Sequence, residues 1–133
     1  MSYFLSYMEK HPDLVMRLFD RPIPFQRIFV AITGKVTAAL MLSWAMQLTE
    51  DGEADAEGWL SRTTEDWTND TGLSKDEQAT AKRRLLDLEL FEDKRFRVDN
   101  GMRLVVQCRI NFDTIDRLVI EDDIRTRARA SAH

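Results

Sequence analysis

Two turn signals inside the stretch from Trp59 to Ile110 leave this chain few ways to fold. The first is Thr71-Gly72-Leu73. Ahead of it, Thr64 is placed to cap a short helix with Glu65 and Asp66 in its opening turn, where the helix dipole favours carboxylates. Gly72 suits the end of that helix, because glycine reaches left-handed backbone angles at no steric cost. Ser74-Lys75-Asp76-Glu77 has the capping-box pattern and predicts that a second helix starts at once. Along it Ala81, Leu85 and Leu88 recur at spacings of four and three, which places them on one inward face. The second signal is Asp99-Asn100-Gly101, set between two β-prone runs, and Asn-Gly is the strongest short hairpin signal. Two helices about a glycine-containing turn form a helix-turn-helix, and a hairpin after it makes a winged helix. The expected fold is therefore α+β, a winged helix-turn-helix with additional N-terminal and C-terminal helices. Trp59-Leu60-Ser61 is expected to add a short strand before the first turn helix. Trp59 and Trp67 are expected to be buried against a central helix.

The ordered residues resemble the winged-helix domain of phage, plasmid and mobile-element replication proteins. The similarity begins in the small and apolar helix from Thr33 to Trp44. It continues through Gly58-Trp59, Thr63 to Trp67, Thr71 to Ser74, Glu77-Gln78, Ala81, Leu85 and Leu88, then Arg109 to Phe112. It covers roughly residues 22–116. Two positions depart from it: Glu89 stands where such sequences usually carry Gly, and Leu86 where they usually carry Lys or Arg. The resemblance implies a DNA-binding protein associated with replication or regulation in a phage or mobile element.

The rest of the chain divides around that stretch. Residues 1–21 read as a helical extension broken near Pro12, with Leu14, Val15, Leu18 and Phe19 forming an apolar stripe. They lack the basic start, unbroken apolar run and cleavage site of a signal peptide. Arg21-Pro22-Ile23-Pro24 reads as a stiff connector into the domain proper, residues 22–124. A short helix is expected from Phe25 to Ile32 and a longer one from Lys35 to Leu48. Ile28 to Leu48 is 21 residues, long enough to raise the question of a membrane span. Lys35 in its middle and scattered hydroxyls favour the central helix of a small domain instead. Asn111-Phe112-Asp113 signals a last helix with Ile115, Leu118 and Val119 on its apolar side, extended by Ile124. The arginine-bearing residues 125–133 are expected to fray as a flexible basic tail.

Charge argues against an easy functional reading. The chain carries a net −4, whereas nucleic-acid binders are usually basic. From Glu50 to Glu77 ten carboxylates face only Arg62 and Lys75. A single cysteine, Cys108, excludes an internal disulfide, fits a reducing cytoplasm and sits in an apolar strand as a small buried hydrophobe. The two histidines, His11 and His133, are not placed as bases, and neither a phosphate loop nor a metal-ligand spacing occurs. No enzyme activity, cofactor or metal is expected.

The candidate nucleic-acid contacts are Lys75, Gln78, Thr80, Lys82, Arg83 and Arg84 on the second turn helix. Lys94, Arg95 and Arg97 add to them from the hairpin. Such a helix turns its N-terminal residues toward bases in the major groove. Arg83 is then the guanine reader, Gln78 or Thr80 reads a neighbour, and the hairpin arginines hold phosphate. Over residues 75–97 seven cations nearly cancel against six carboxylates, so a monomer should bind DNA weakly. The same helix carries a competing surface. Ala79, Leu86 and Leu90 fall together on the wheel, an apolar patch suited to a host or phage protein or to a second copy of the chain. The alternative function is accordingly a winged-helix protein-binding module, such as a phage-encoded inhibitor of a host nucleic-acid-handling complex.

Overall fold

The computed structural model describes residues 6–7, 9–13 and 27–131. Residues 6–7, 9–10 and 12–13 are helical, with His11 outside the helix. The stripe of Leu14, Val15, Leu18 and Phe19 and the Arg21 to Pro24 connector lie outside the described residues.

Helix α1 spans Arg27–Thr33 and ends where Gly34 turns left-handed, φ 75°, its amide donating to the Val30 carbonyl at 2.8 Å. Helix α2, Val36–Glu50, is the centre of the molecule. Ala38, Ala39, Met41, Leu42, Trp44, Ala45 and Leu48 are all buried, so it meets neighbours on most of its circumference. Its one buried hydroxyl, Ser43 Oγ, donates to the Ala39 carbonyl at 2.7 Å and so costs no unmet hydrogen bond. Among the described residues no helix is long and apolar enough to cross a membrane.

Strand β1, Leu60–Ser61, leads into α3, Thr64–Thr71, and α4, Lys75–Asp87. The N-cap of α3 is Thr63, one residue before the expected Thr64. Asp66 stands three residues after Thr63, and the two close a capping box at 3.0 Å in both directions. Gly72 ends α3 at φ 78° as expected, and Ser74 with Glu77 caps α4 in the same reciprocal way. The amides of Thr63 and Ser74 hold the Asp66 and Glu77 carboxyls below their ordinary range. These caps are thus complete at neutral pH and weaken only as the pH falls below about 4.

Strands β2, Phe91–Val98, and β3, Arg103–Ile110, form the hairpin, with Asp99, Asn100 and Gly101 all at positive φ in its turn. The three strands make an antiparallel sheet in the order β1-β3-β2. Phe91 pairs with Ile110 and Val98 with Arg103, so the hairpin is in register along its length. Cys108 is buried in β3, and that burial pushes its thiol up to about 11, which keeps it an inert thiol at neutral pH. The fold is a mixed α+β arrangement with the sheet and α4 closing over α2.

Helix α5 spans Phe112–Ser131, capped by Asn111 Oδ1, which accepts from the Thr114 amide at 3.2 Å. Ile115 enters the core and Leu118 and Val119 lean on it, as expected. Ile124 does not extend that face; it is exposed. Residues 125–131 do not fray but continue the helix. Arg127 with Asp123 at 2.8 Å and Arg125 with Asp122 at 3.9 Å run along it, and Ala128 and Ala130 favour helix without needing to pack.

The end of α4 corrects the wheel. Leu88 is the C-cap and Glu89 is left-handed, φ 60°. The Glu89 amide donates to the Leu86 carbonyl at 3.0 Å, and the Leu90 amide to Leu85 at 2.9 Å. This is a Schellman closure, in which the residue two past the cap folds back onto the last turn. Leu90 is therefore 0% exposed beside Leu85, not outward, and Leu86 is half-buried against the core. The expected patch of Ala79, Leu86 and Leu90 is therefore reduced to an exposed Ala79 and a half-buried Leu86. A left-handed glutamate is strained by its Cβ, so Glu89→Gly should raise unfolding stability by about 1 kcal/mol. Urea denaturation of the variant beside the parent reads this, and a loss of stability would contradict the strain.

Candidate nucleic-acid interface

The side chains of α4 divide by direction. Ala81 and Leu85 enter the core, and Lys75, Ala79 and Lys82 share a flank that looks across to the hairpin. Between them lies an open groove of about 710 Å³. Arg62 and Thr63 close one end of it, Arg95 and Arg103 line the hairpin side, and Met41 and Trp67 form part of its floor. Five cations from four segments thus line one groove, and among the described residues that line it there is no carboxylate.

The carboxylates stand behind the cations. Asp93 is shared by Lys82, whose Nζ is 3.2 Å from Oδ1, and Arg95, 3.6 Å from Oδ2. The Lys82 contact has the angle of an ion pair rather than a directed hydrogen bond. Asp70 pairs with Arg62 and also accepts from Trp44 Nε1 at 2.9 Å, tying β1 to α2 and α3. Arg103 is 3.6 Å from Asp99 with both side chains mostly exposed, a contact worth little in water. Lys75 and Arg83 have neither an ion pair nor a hydrogen bond within the described residues. The groove therefore keeps a small positive surplus rather than the near-zero balance of the linear count.

Of the expected contacts, Lys75, Lys82 and Arg95 come together here. Thr80 and Arg83 stand exposed on the adjoining solvent face of α4. Three expectations fail, and a fourth residue, Arg97, is exposed but lies outside the groove lining. Gln78 is 6% exposed, and its amide nitrogen donates to the Thr64 carbonyl, Thr68 Oγ1 and the Leu73 carbonyl at 2.9–3.1 Å. It fastens the α3–α4 turn and has no donor to offer a base. Arg84 points the other way: its Nε donates to the Thr33 carbonyl at 2.7 Å, a cation closing the C-terminus of α1. Its guanidinium lies 3.2 Å from where a Cβ on Gly34 would stand, which is why a glycine fits there. Lys94 lies on the opposite sheet face, 4.5 Å above the Trp59 ring, which Arg109 also covers at 4.5 Å. Arg97 sits at the hairpin tip, donating to the Gly101 carbonyl at 3.3 Å.

No family model, characterised protein or solved structure matches the chain. The groove is accordingly read from its own chemistry. Sequence reasoning missed Arg62 and Arg103, which reach it only because β1 and the start of β3 are both brought alongside α4. Arg62 carries a weak signal, lying just before a capped helix; Arg103 carries none. Glu77, one of the six carboxylates counted against the cations, accepts from the Ser74 amide at 3.0 Å. Asp76 remains exposed in the first turn.

Proposed function

We propose that the protein is a winged-helix DNA-binding protein, with α4 as the reading helix and the β2–β3 hairpin as the wing. The element order, the β1-β3-β2 sheet and the α3–α4 turn support this architecture. The observation that carries the function is the set of cations from the segment after β1, from α4 and from the hairpin, lining one groove without a carboxylate among the described residues that line it. A polyanion seated there meets Lys75, Arg95 and Arg103 as phosphate contacts, while Thr80 and Arg83 on the solvent face of α4 reach base edges. The resemblance to mobile-element replication proteins suggests replication or its regulation as the setting for this binding. The alternative, a winged-helix protein-binding module, rests on the acidic balance and on Leu86; with Leu90 buried and Leu86 half-buried, α4 offers it a smaller apolar patch than the sequence implies.

A duplex titration at several salt concentrations tests the proposal. Three phosphate contacts predict that log affinity falls with log salt at a slope of about −2.7. That is roughly a fortyfold loss between about 50 and about 200 mM. Affinity that is undetectable for every duplex at low salt would retire the reading.

A further inference from the structure

The sheet has two open edges, and they are built differently. Among the described residues β2 pairs with β3 alone, so its outer edge is free along Phe91–Val98. Five of those eight residues are charged, a common protection of an edge against a further strand. The second open edge belongs to β3. There β1 pairs only Leu60 with Cys108 and Ser61 with Gln107, and the chain then leaves through Arg62 and Thr63 into α3. Among the described residues, Arg103, Leu104, Val105 and Val106 therefore have a strand on the β2 side and none on the other. Beyond Arg103 this run carries no charge and no proline.

Successive residues of a strand turn their amides and carbonyls to opposite sides, so alternate members of the run direct theirs to the open side. Among the described residues no backbone hydrogen bond from a loop or turn takes them up. All four residues of the run also line the groove between α4 and the hairpin, so the groove opens onto the β3 edge. Met41 and Trp67 lie in its floor, and its five cations have no carboxylate beside them among the described lining residues. An unpaired strand edge, an apolar floor and a one-signed rim thus occur in one place.

We propose that this edge takes an extended acidic peptide of a partner protein, added to β3 as a strand where β1 would run if it continued. Main-chain hydrogen bonds to the open side of the run hold it, and alternate side chains select its sequence. Successive side chains of a strand point to opposite faces. Apolar ones therefore cover Met41 and Trp67, while carboxylates between them meet Arg62, Arg95 and Arg103. A second copy of the chain fits this edge poorly, because a two-fold contact there sets the same cations against each other. The proposal goes beyond the reading of the groove as a DNA site and does not rest on it. Duplex and peptide would compete for Arg95 and Arg103.

Fluorescence anisotropy tests the charge, with two peptides of about eight residues, an ordinary strand length. One alternates Glu with Val and the other Lys with Val. The Glu–Val peptide should bind with an affinity that salt lowers, and the Lys–Val peptide at least tenfold more weakly. Arg95→Glu with Arg103→Glu should weaken the Glu–Val peptide at least tenfold. Both side chains are mostly exposed, so the fold should be kept, which circular dichroism checks. Amide hydrogen exchange read by NMR tests the strand. With the Glu–Val peptide bound, alternate amides from Arg103 to Val106 should exchange at least tenfold more slowly than in the free chain. No binding at about 1 mM peptide overturns the proposal, as does equal binding of the Lys–Val peptide. Binding that leaves those amides unchanged also overturns it, in favour of charge attraction without a strand. Slowed exchange at raised protein concentration with no peptide present overturns it too, in favour of a second copy. If the double variant loses structure, the two peptides and the amides decide.

Discussion

Trp67→Ala is expected to lower unfolding stability by about 3–5 kcal/mol, the size of a large buried aromatic lost to a cavity. Trp67 is 7% exposed and belongs to the main core, although it sits on the eight-residue α3. A helix that short has little stability of its own, because nucleation costs more than two turns of hydrogen bonds return. The capping box at Thr63 and Asp66 satisfies its first amides, and Gly72 closes its end, but neither attaches it to the body. Trp67 supplies that attachment. Its loss should therefore loosen α3 and open the floor of the groove, while Trp67→Phe, which keeps an apolar ring, should cost less than about half as much. Denaturant unfolding reports the difference, with Trp44 and Trp59 remaining as fluorescence probes. An unchanged midpoint for Trp67→Ala would show that α3 is held by something else.

Features of this fold written within a few residues of one another were legible, and those written across the chain were not. The Ser74–Glu77 box, the Gly72 stop and the Asp99-Asn100-Gly101 turn each need only a span of four residues or so. Even the misplacement of the first cap was avoidable: Thr63 has Asp66 three residues on, whereas Thr64 has Trp67, which cannot reach back to an amide. Leu90 does not follow the helical wheel, because the helix ends at Asp87 and Leu90 lies two residues past its cap. The sign was in the sequence, since the resemblance puts Gly at residue 89, and a glycine one past a cap marks a left-handed residue. Glu89 hid that sign by adopting the angle regardless.

Arg84 and Gln78 failed for a different reason. The Thr33 carbonyl that Arg84 meets is 51 residues away, and the Thr64 carbonyl that Gln78 meets is 14 away. Helical periodicity gives a side chain's direction but not the polar group waiting there. Three cations in a row, Lys82-Arg83-Arg84, thus have three fates: one on the groove, one in solvent and one fastening α1. Counting charges along the chain treats them alike. The arginines of α5 show the reverse error. A tail with nothing to pack against is expected to fray, yet over residues 125–131 alternating Ala and Arg with pairs to Asp122 and Asp123 suit a helix without a core.

Removing Lys75, Arg83, Arg95 and Arg103 together, each to Ala, should abolish most of the salt dependence of duplex binding. The three phosphate contacts among them account for a slope of about −2.7, so the quadruple variant should be nearly flat in salt and markedly weaker than the parent at low salt. The fold should survive, because exposed substitutions of this kind usually lie within about 0.5 kcal/mol and the ion pairs lost are long and solvated. Charge alone does not make this prediction, and a control separates the two. Lys94→Ala with Arg97→Ala removes two cations that lie on the opposite sheet face and at the hairpin tip. If the groove is the site, that pair should change the slope by less than the about two units expected of two phosphate contacts. Arg84→Ala should leave the slope alone and instead lower stability, since it frees the Thr33 carbonyl at the end of α1. Equal losses per cation from the groove set and the control pair would mean that DNA senses only net charge. A quadruple variant as salt-dependent as its parent would place the binding surface elsewhere on the molecule.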